Sequence, residues 1–181
     1  MGKINYPQAV RLFAGLIYQD DEIAAVVKKR LKDEFSEICN ESNVIQFDFT
    51  DYYNKEMGND LKREFICFRD LIKRDKLAEI KIKTNEIESD FADPSTGNRH
   101  INIDPGYISA ENVILATTKN WGHRPYLKDG IYAELTYRFQ KGSLNPLEWT
   151  YPDYRTKGVI SIFNEWRKSY LKELSDLSRI G

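Results

Sequence analysis

The sequence predicts an α+β protein built around a largely antiparallel sheet. A nearly continuous apolar run near the start, "AVRLFAGLIY", has the length and character of a buried strand. Three later segments carry apolar residues at helical spacing, and several short segments between them alternate polar and apolar residues. Helices and alternating strands interleaved in this way favour helices packed on a mixed or antiparallel sheet.

The first half of the chain supplies three strands and one helix. The apolar run Ala9–Tyr18 predicts a central strand, and Asp20 follows as a candidate helix cap. Apolar residues then recur every three or four positions and predict an amphipathic helix over residues 21–38. The alternating segment Asn43–Thr50 and the apolar segment Leu61–Phe68 predict the next two strands.

The second half begins with a helix and ends with one. Asp75 is a candidate cap for a helix that continues to Phe91, and Thr156 is a candidate cap for the last helix, over residues 156–175. Between these helices lie three predicted strands: Arg99–Asp104, Asn112–Lys119 and Gly130–Gln140. The first elements therefore read β-α-β-β-α-β, the split βαβ order of ferredoxin-like domains, extended by two strands and a C-terminal helix. In this arrangement the helices share one face of the sheet.

Composition places the chain among ordinary globular proteins. Hydrophobic residues make up 41% and charged residues 30% of the 181 positions, and we expect residues 1–181 to form one domain. The net charge is −1 without a block of like charge, which argues against non-specific attraction to nucleic acid or to an anionic membrane. The start of the sequence does not resemble a signal peptide, and no apolar run approaches transmembrane length.

The two cysteines do not resemble a redox or metal motif. Cys39 and Cys67 are far apart in sequence and lack CxxC spacing, so we expect small buried apolar side chains. The absence of a disulfide framework makes a reducing cytoplasm the expected compartment.

Sequence motifs for common chemistries are absent. The chain has no phosphate-binding glycine loop, no dinucleotide fingerprint, no GxSxG elbow and no HExxH helix. The histidines are followed by Ile101-Asn102 and Arg124-Pro125, which rules out the paired His-x-Ser/Thr strands of two-histidine phosphoesterases. His100 and His123, with Asp48, Asp104 or Glu134, are chemically able to bind a metal, but their spacing matches no ligand pattern. We therefore predict no metal site, and the sequence indicates no particular cofactor.

One stretch, "RHINIDPGYIS", supplies the first candidate site residues. If Ile101 and Ile103 face the core, His100, Asn102 and Asp104 lie together on the opposite face of the strand. An imidazole, an amide and a carboxylate side by side are typical of a site wall, and equally of a solvated strand face. We interpret them as site residues, with His100 as an acid or base near neutral pH.

Polar residues on neighbouring segments extend this constellation. "LATTKNWGHRPYL" adds ligand-binding candidates Thr117, Thr118, Lys119 and Arg124, together with a second catalytic candidate, His123. In "IYAELTYRF" we expect the odd-numbered apolar residues to face the core, which turns Glu134, a third catalytic candidate, and Arg138 to the other side. "DFTDYYNKEMG" adds Asp48 and Asp51, which are able to contact a ligand or to cap a short turn.

These residues favour one function and leave a rival open. Lys119, Arg124 and Arg138 suit an anionic small molecule such as a nucleotide or a phosphorylated metabolite, bound on a polar sheet face. The rival is a non-catalytic interaction protein, because alternating polar faces with Glu–Arg pairs occur on any half-exposed sheet. Neither hypothesis decides whether the protein is an enzyme.

Several longer phrases resemble a known family. "FDFTDYYNKEMG", "KIKTNEIE", "NIDPGY", "LATTKNWGHRPYL", "GIYAEL" and "WTYPDYR" are similar to a bacterial family described as a domain of unknown function. The resemblance runs from "PQAVRLFAGLIY" to the last helix and implies a bacterial, cytosolic, single-domain protein. It assigns no activity and no site residue.

Overall fold

The computed structural model describes residues 2–180, with side chains up to Arg179. Within this range a single sheet of nine strands carries four α-helices. The strands are β1 (Val10–Tyr18), β2 (Ile38–Glu41), β3 (Ile45–Gln46), β4 (Lys62–Ile72), β5 (Ile101–Ile108), β6 (Asn112–Thr117), β7 (Tyr126–Lys128), β8 (Ile131–Gln140) and β9 (Ser143–Pro146). The helices are α1 (Asp21–Glu34), α2 (Asn54–Met57), α3 (Leu77–Asp90) and α4 (Lys157–Ile180). No helix in the described range has both the length and the apolar character that crossing a membrane requires.

The sheet is antiparallel between all paired neighbours. Its order is β2-β4-β1-β5-β6-β8-β7, with β3 also paired to β4 and β9 to β8. The predicted central strand is β1, which is buried along its whole length because β4 and β5 flank it and helices cover both of its faces. The predicted α+β class with a mostly antiparallel sheet is confirmed.

The helices lie on both faces of the sheet, so the expectation that they share one face is wrong. Leu12 and Leu16 of β1 belong to the apolar cluster that contains α1 and α3. Phe13, which alternation turns to the other face, packs against Phe163 of α4. The physical reason is that β1 is apolar at consecutive positions, so both of its faces must be covered.

The segment after α1 differs from its prediction. The helix ends at Glu34 rather than at residue 38, and Ile38 instead pairs with Phe68 of β4. Phe35 and Ile38 still pack against the α1 and α3 cluster, so their apolar side chains stay in the core while the backbone changes from helix to strand. The predicted strand Asn43–Thr50 is reduced to β3, two residues long.

The sheet separates between β5 and β6. β5 runs through Pro105 to Ile108, whereas the predicted strand ended at Asp104, and it pairs with β6 only from Gly106 onward. Every second residue of β5 directs its backbone N–H toward β6, and Tyr107 is one of them. The next such residue is Pro105, which has no N–H to donate, so the pairing stops there. Gly106 brings the two strands together, because a Cβ there would lie 2.5 Å from the Ile114 carbonyl oxygen. The first half of β5 therefore faces a gap.

A bulge in β8 changes which of its residues share a face of the sheet. Val113 pairs with Tyr137 but Ile114 pairs with Leu135, so Thr136 is the extra residue. Leu135 consequently packs on the α3 side and Tyr137 on the α4 side, although strict alternation would place them together. Glu134, which the sequence predicted on a polar sheet face, is fully buried, as is Thr136, because the segment that carries Trp149 and Thr150 packs against this part of β8.

Candidate functional site

A cavity of about 560 Å³ occupies the gap between β5 and β6. The loop from Phe47 to Tyr53 and the loop from Tyr151 to Asp153 close it on two sides, and α3 forms a third wall. The volume lies in the range typical of small-molecule sites in proteins. The charged lining residues are Arg63, Lys81, Glu88, Arg99, Asp104, Lys119 and Asp153.

Arg63 is a buried cation in the floor of this cavity. Its side chain is 2% exposed, and its guanidinium carbon lies 4.7 Å from the ring centre of Phe65 and 5.2 Å from that of Tyr154. Gly15 on the neighbouring strand makes room for it, since a Cβ at that position would lie 2.9 Å from Nη2. A cation buried this deeply requires counter-charges.

Two aspartates supply those counter-charges. Asp153 Oδ2 lies 3.1 Å from Arg63 Nε, and Asp104 Oδ2 lies 3.3 Å from Arg63 Nη1. Burial raises the pKa of Asp153, and the charge of Arg63 offsets part of that rise. The Asp104 side chain is 28% exposed and is therefore the more accessible of the two carboxylates.

Two side chains of α3 form hydrogen bonds with the backbone groups of β5 that have no partner strand in the described range. Glu88 Oε1 accepts a hydrogen bond from the Ile103 N–H at 2.7 Å, and Lys81 Nζ donates to the Ile103 carbonyl at 2.8 Å. The other Glu88 oxygen accepts from Arg99 Nη1 at 2.9 Å, and Glu56 holds the remainder of that guanidinium. Side chains thus replace the strand that is missing here, which keeps the gap open without leaving buried backbone groups unpaired.

Burial raises the pKa of Glu88, although Lys81 and the hydrogen bonds to its carboxylate act in the opposite direction. Glu88 and Asp153 are thus two cavity-lining carboxylates with raised pKa values. Enzymes use carboxyl groups of this kind for proton transfer near neutral pH.

The mouth of the cavity carries a different kind of cation. Lys119 is exposed, and its Nζ lies 4.1 Å from the ring centre of Tyr52. Among the described residues, no carboxylate forms an ion pair with Lys119, whereas the other basic lining residues all have acidic neighbours. Lys119 is therefore the basic residue of the described lining that is free to contact an anion.

Behind the cavity wall, a buried ion pair holds Tyr151. Arg124 and Glu134 form an ion pair, and Arg124 Nη2 donates to the Tyr151 hydroxyl oxygen at 2.9 Å. Arg124 also donates to the Lys119 carbonyl at 3.1 Å. Burial, followed by the charge of Glu134, raises the pKa of Tyr151 to about 12. Tyr151 therefore remains a protonated phenol at neutral pH.

His123 belongs to this buried group, not to the cavity lining. Its ring stacks on Trp149 with centroids 4.8 Å apart, and its Nε2 lies 3.6 Å from Glu134 Oε2. Nε2 is buried without a hydrogen-bond partner among the described residues. Over residues 2–180, no three histidine, cysteine, aspartate or glutamate side chains are grouped to hold a metal ion.

The structure separates the predicted site residues into three sets. The first lines the cavity: Asn102, Asp104, Thr117, Thr118 and Lys119. The second forms the buried group behind Tyr151: His123, Arg124 and Glu134. The third lies outside both: His100, Arg138, Asp48 and Asp51, all exposed.

The third set has local reasons for its placement. His100 precedes the first residue of β5, so strand alternation does not bring it beside Asn102. Arg138 donates to Gln140 on its own strand, and Asp51 accepts from Asn54 at the start of α2. Asp51 does not cap α2, whose N-cap is Tyr53, and the side chain that accepts from the backbone of this turn is Thr50, from the Tyr52 N–H at 3.1 Å.

Several lining residues escaped the sequence analysis. Arg63 lies within a strand that is apolar on both sides, and Asp153 lies in a loop interpreted as a proline turn. Lys81 and Glu88 lie seven residues apart, on one face of α3, and both are buried. That second, polar stripe on α3 was the available signal for this wall of the cavity.

The fold and the site together define an α+β protein with a charged internal pocket at a split in its antiparallel sheet. The chain belongs to the DUF4416 family, a domain of unknown function, whose family model matches residues 8–170. Searches of the curated proteins and of the solved structures gave no match. The phrases that carry the family resemblance also supply cavity residues: Phe47 to Tyr53, Lys81 to Glu88, Asn102 to Asp104, Thr117 to Lys119 and Tyr151 to Asp153.

Proposed function

We propose that this protein binds an anionic small molecule, a nucleotide or a phosphorylated metabolite, in the cavity between β5 and β6. One observation carries the proposal: Lys119 stands at the mouth of an enclosed pocket without an acidic partner among the described residues. The buried cations are matched by Glu88, Asp104 and Asp153, so Lys119 is the cation best able to bind an anion. Phosphate and carboxylate groups accept strong hydrogen bonds from such ammonium groups.

The proposed location differs from the open sheet face considered from the sequence. Asn102 is buried and Asp104 is only partly exposed, so a ligand would enter a cleft. A cleft excludes water and strengthens each charged contact relative to an open surface.

A thermal-shift screen of nucleotides and sugar phosphates, followed by titration calorimetry, tests the proposal. A ligand present at about 100 times its Kd adds about 2.7 kcal/mol of stability, which corresponds to roughly 5–10 °C for a chain of this length. We expect Lys119→Gln to weaken binding roughly 10- to 150-fold, since a charged hydrogen bond contributes about 1.5–3 kcal/mol.

The matched control is Lys168→Gln, which removes an exposed lysine of α4 outside the cavity lining. It should bind as the unaltered protein does. If no compound shifts the melting temperature, or if both lysine variants bind alike, the proposal is wrong.

The rival function, a non-catalytic interaction protein, has one observation in its favour. Trp121 and Tyr126 are each 60% exposed and Leu127 is 40% exposed, all on or near the edge strand β7. Exposed apolar side chains at a sheet edge are typical of protein contacts. Under this hypothesis Trp121→Ser would abolish partner binding, and the cavity variants would change nothing measurable.

We also infer that β1, α1, β2, β4, α3 and β5 form a ferredoxin-like unit within one domain spanning residues 1–181. The strand order β2-β4-β1-β5 supports this inference, as do the antiparallel neighbours. The shared position of α1 and α3 on one face agrees with it. In this unit β2, rather than the predicted strand 43–50, occupies the second strand position.

A further inference from the structure

The accessible acceptor in the cavity floor is Asp104. Its Oδ2 atom accepts a hydrogen bond from Asn102 Nδ2 at 2.8 Å and faces Arg63 Nη1 at 3.3 Å. No donor among the described residues reaches its Oδ1 atom, and the side chain is 28% exposed in the cavity floor. Arg63 and Asp153 are only 2% and 5% exposed, so a bound molecule meets the carboxylate and not the guanidinium.

The charge of the floor favours a hydrogen-bond donor. Arg63 is shared by the two carboxylates of Asp104 and Asp153, so one cation faces two acids. The nearest cationic lining residues, Lys81 and Arg99, are already held by Glu88. An N–H group of a ligand would donate a charge-assisted hydrogen bond to Asp104 Oδ1, the oxygen to which no described residue donates.

The mouth of the cavity favours the opposite kind of group. The Tyr151 oxygen accepts from Arg124, and its own O–H donates to no acceptor among the described residues. Because Tyr151 lines the cavity, that O–H is available to a ligand oxygen, as are the N–H groups of Lys119. The cavity lining therefore offers free donors at Lys119 and Tyr151 as well as a free acceptor at Asp104.

We infer that the ligand is an amino-bearing phosphate, with its amino group on Asp104 Oδ1 and its phosphate at Lys119 and Tyr151. This inference rests on the proposed function and narrows it to one substrate class. Both an amino-substituted nucleotide and an amino sugar phosphate have this chemistry. A site that hydrogen-bonds an N–H group of its ligand discriminates against analogues that lack this donor.

The test uses pairs of phosphates that differ only in the amino group. Adenosine 5′-monophosphate is compared with purine riboside 5′-monophosphate, and glucosamine 6-phosphate with 2-deoxyglucose 6-phosphate, by titration calorimetry. We expect the amino member of one pair to bind at least about tenfold more tightly. The pair that shows the preference identifies the ligand as a nucleotide or as a sugar phosphate.

Asp104→Asn assigns the preference to this residue. It should weaken binding of the amino member about tenfold and leave the amino-free member within about threefold. Asp48→Asn is the matched control, because it makes the same chemical change at an exposed carboxylate outside the cavity. Circular dichroism checks that both variants fold, and if Asp104→Asn does not, the ratio measured on the unaltered protein decides.

The outcomes separate this inference from the proposed function. Equal binding of both members of each pair, with affinity still lost in Lys119→Gln, overturns the inference and leaves the proposed function standing. An equal loss for both members in Asp104→Asn also overturns it. If none of these phosphates binds, the inference is wrong, and the thermal-shift screen decides the proposed function.

Discussion

The buried guanidinium of Arg63 faces two carboxylates, which makes its removal a direct test of how the cavity floor is held together. We consider Arg63→Met, which keeps most of the side-chain length but deletes the charge. Asp153 would then remain 4% exposed without its counter-ion, and Asp104 would lose its contact at 3.3 Å. The variant would also lose the cation–π contacts with the rings of Phe65 and Tyr154.

The expected destabilisation is about 3–5 kcal/mol at neutral pH, the usual effect of breaking a buried ion pair by removing one partner. For a chain of this length, each kcal/mol shifts the melting temperature by about 2–4 °C. Arg63→Met should therefore melt roughly 6–20 °C below the unaltered protein, as measured by circular dichroism.

The pH dependence of this difference has a definite sign. Burial already raises the pKa of Asp153, and removing Arg63 raises it further. A folded-state pKa above the unfolded value means that the folded state binds the proton more tightly, so stability falls as pH rises through the folded pKa. The deficit of Arg63→Met should thus shrink when urea unfolding is repeated at about pH 5 instead of about pH 7.

The double variant Arg63→Met with Asp153→Asn serves as the control. Removing the acid along with the base eliminates the uncompensated charge, so the double variant should be more stable than Arg63→Met alone. A variant as stable as the unaltered protein, or a deficit that is constant with pH, would refute the view that Arg63 neutralises these carboxylates.

Three further outcomes are expected. Gly106→Ala should destabilise the protein by about 3 kcal/mol or more, because the added Cβ would lie 2.6 Å from the Phe13 ring. Urea unfolding measures this loss, and unchanged stability would contradict the close approach of the strands. Iodoacetamide at neutral pH should alkylate Cys39 before Cys67, because a hydrogen bond that Cys39 accepts from the Cys67 thiol lowers the Cys39 pKa to about 6, while burial raises the pKa of Cys67. Peptide mass spectrometry showing the reverse order would contradict this. Asp20→Ala should cost about 1 kcal/mol by removing the cap that accepts from the Glu22 N–H at 2.7 Å, and Asp20→Asn should restore most of it.

Local patterns were sufficient for most helices and long strands. The apolar run of β1 and the helical spacing of α1, α3 and α4 are local signals. Each is visible within one short segment and does not depend on the rest of the fold. Errors appeared where a partner strand decides the backbone conformation. The last residue of the predicted first helix, Ile38, became the first residue of β2 because it pairs with Phe68 of β4.

The cysteines show the same division. Cys67 lies inside a long apolar strand and is buried, as expected. Cys39 is exposed, contrary to the expectation, because it lies on the edge strand β2 with few residues covering it. Whether a strand lies at the edge or in the centre of the sheet depends on the strand order. The sequence around Cys39 gives no information on that order.

The sequence alone determined the α+β class, the family resemblance and about a quarter of the cavity lining, since Asn102, Asp104 and the residues Thr117 to Lys119 belong to two short segments. Only the tertiary structure decided that β5 and β6 part at Pro105 and that α4 covers the face opposite α1. It alone brought Arg63, Asp104 and Asp153 into contact. The reason is physical: periodicity reports which side of its own element a residue occupies, whereas a charged pocket forms from elements far apart in the chain, whose meeting depends on strand order, bulges and the covering of both sheet faces.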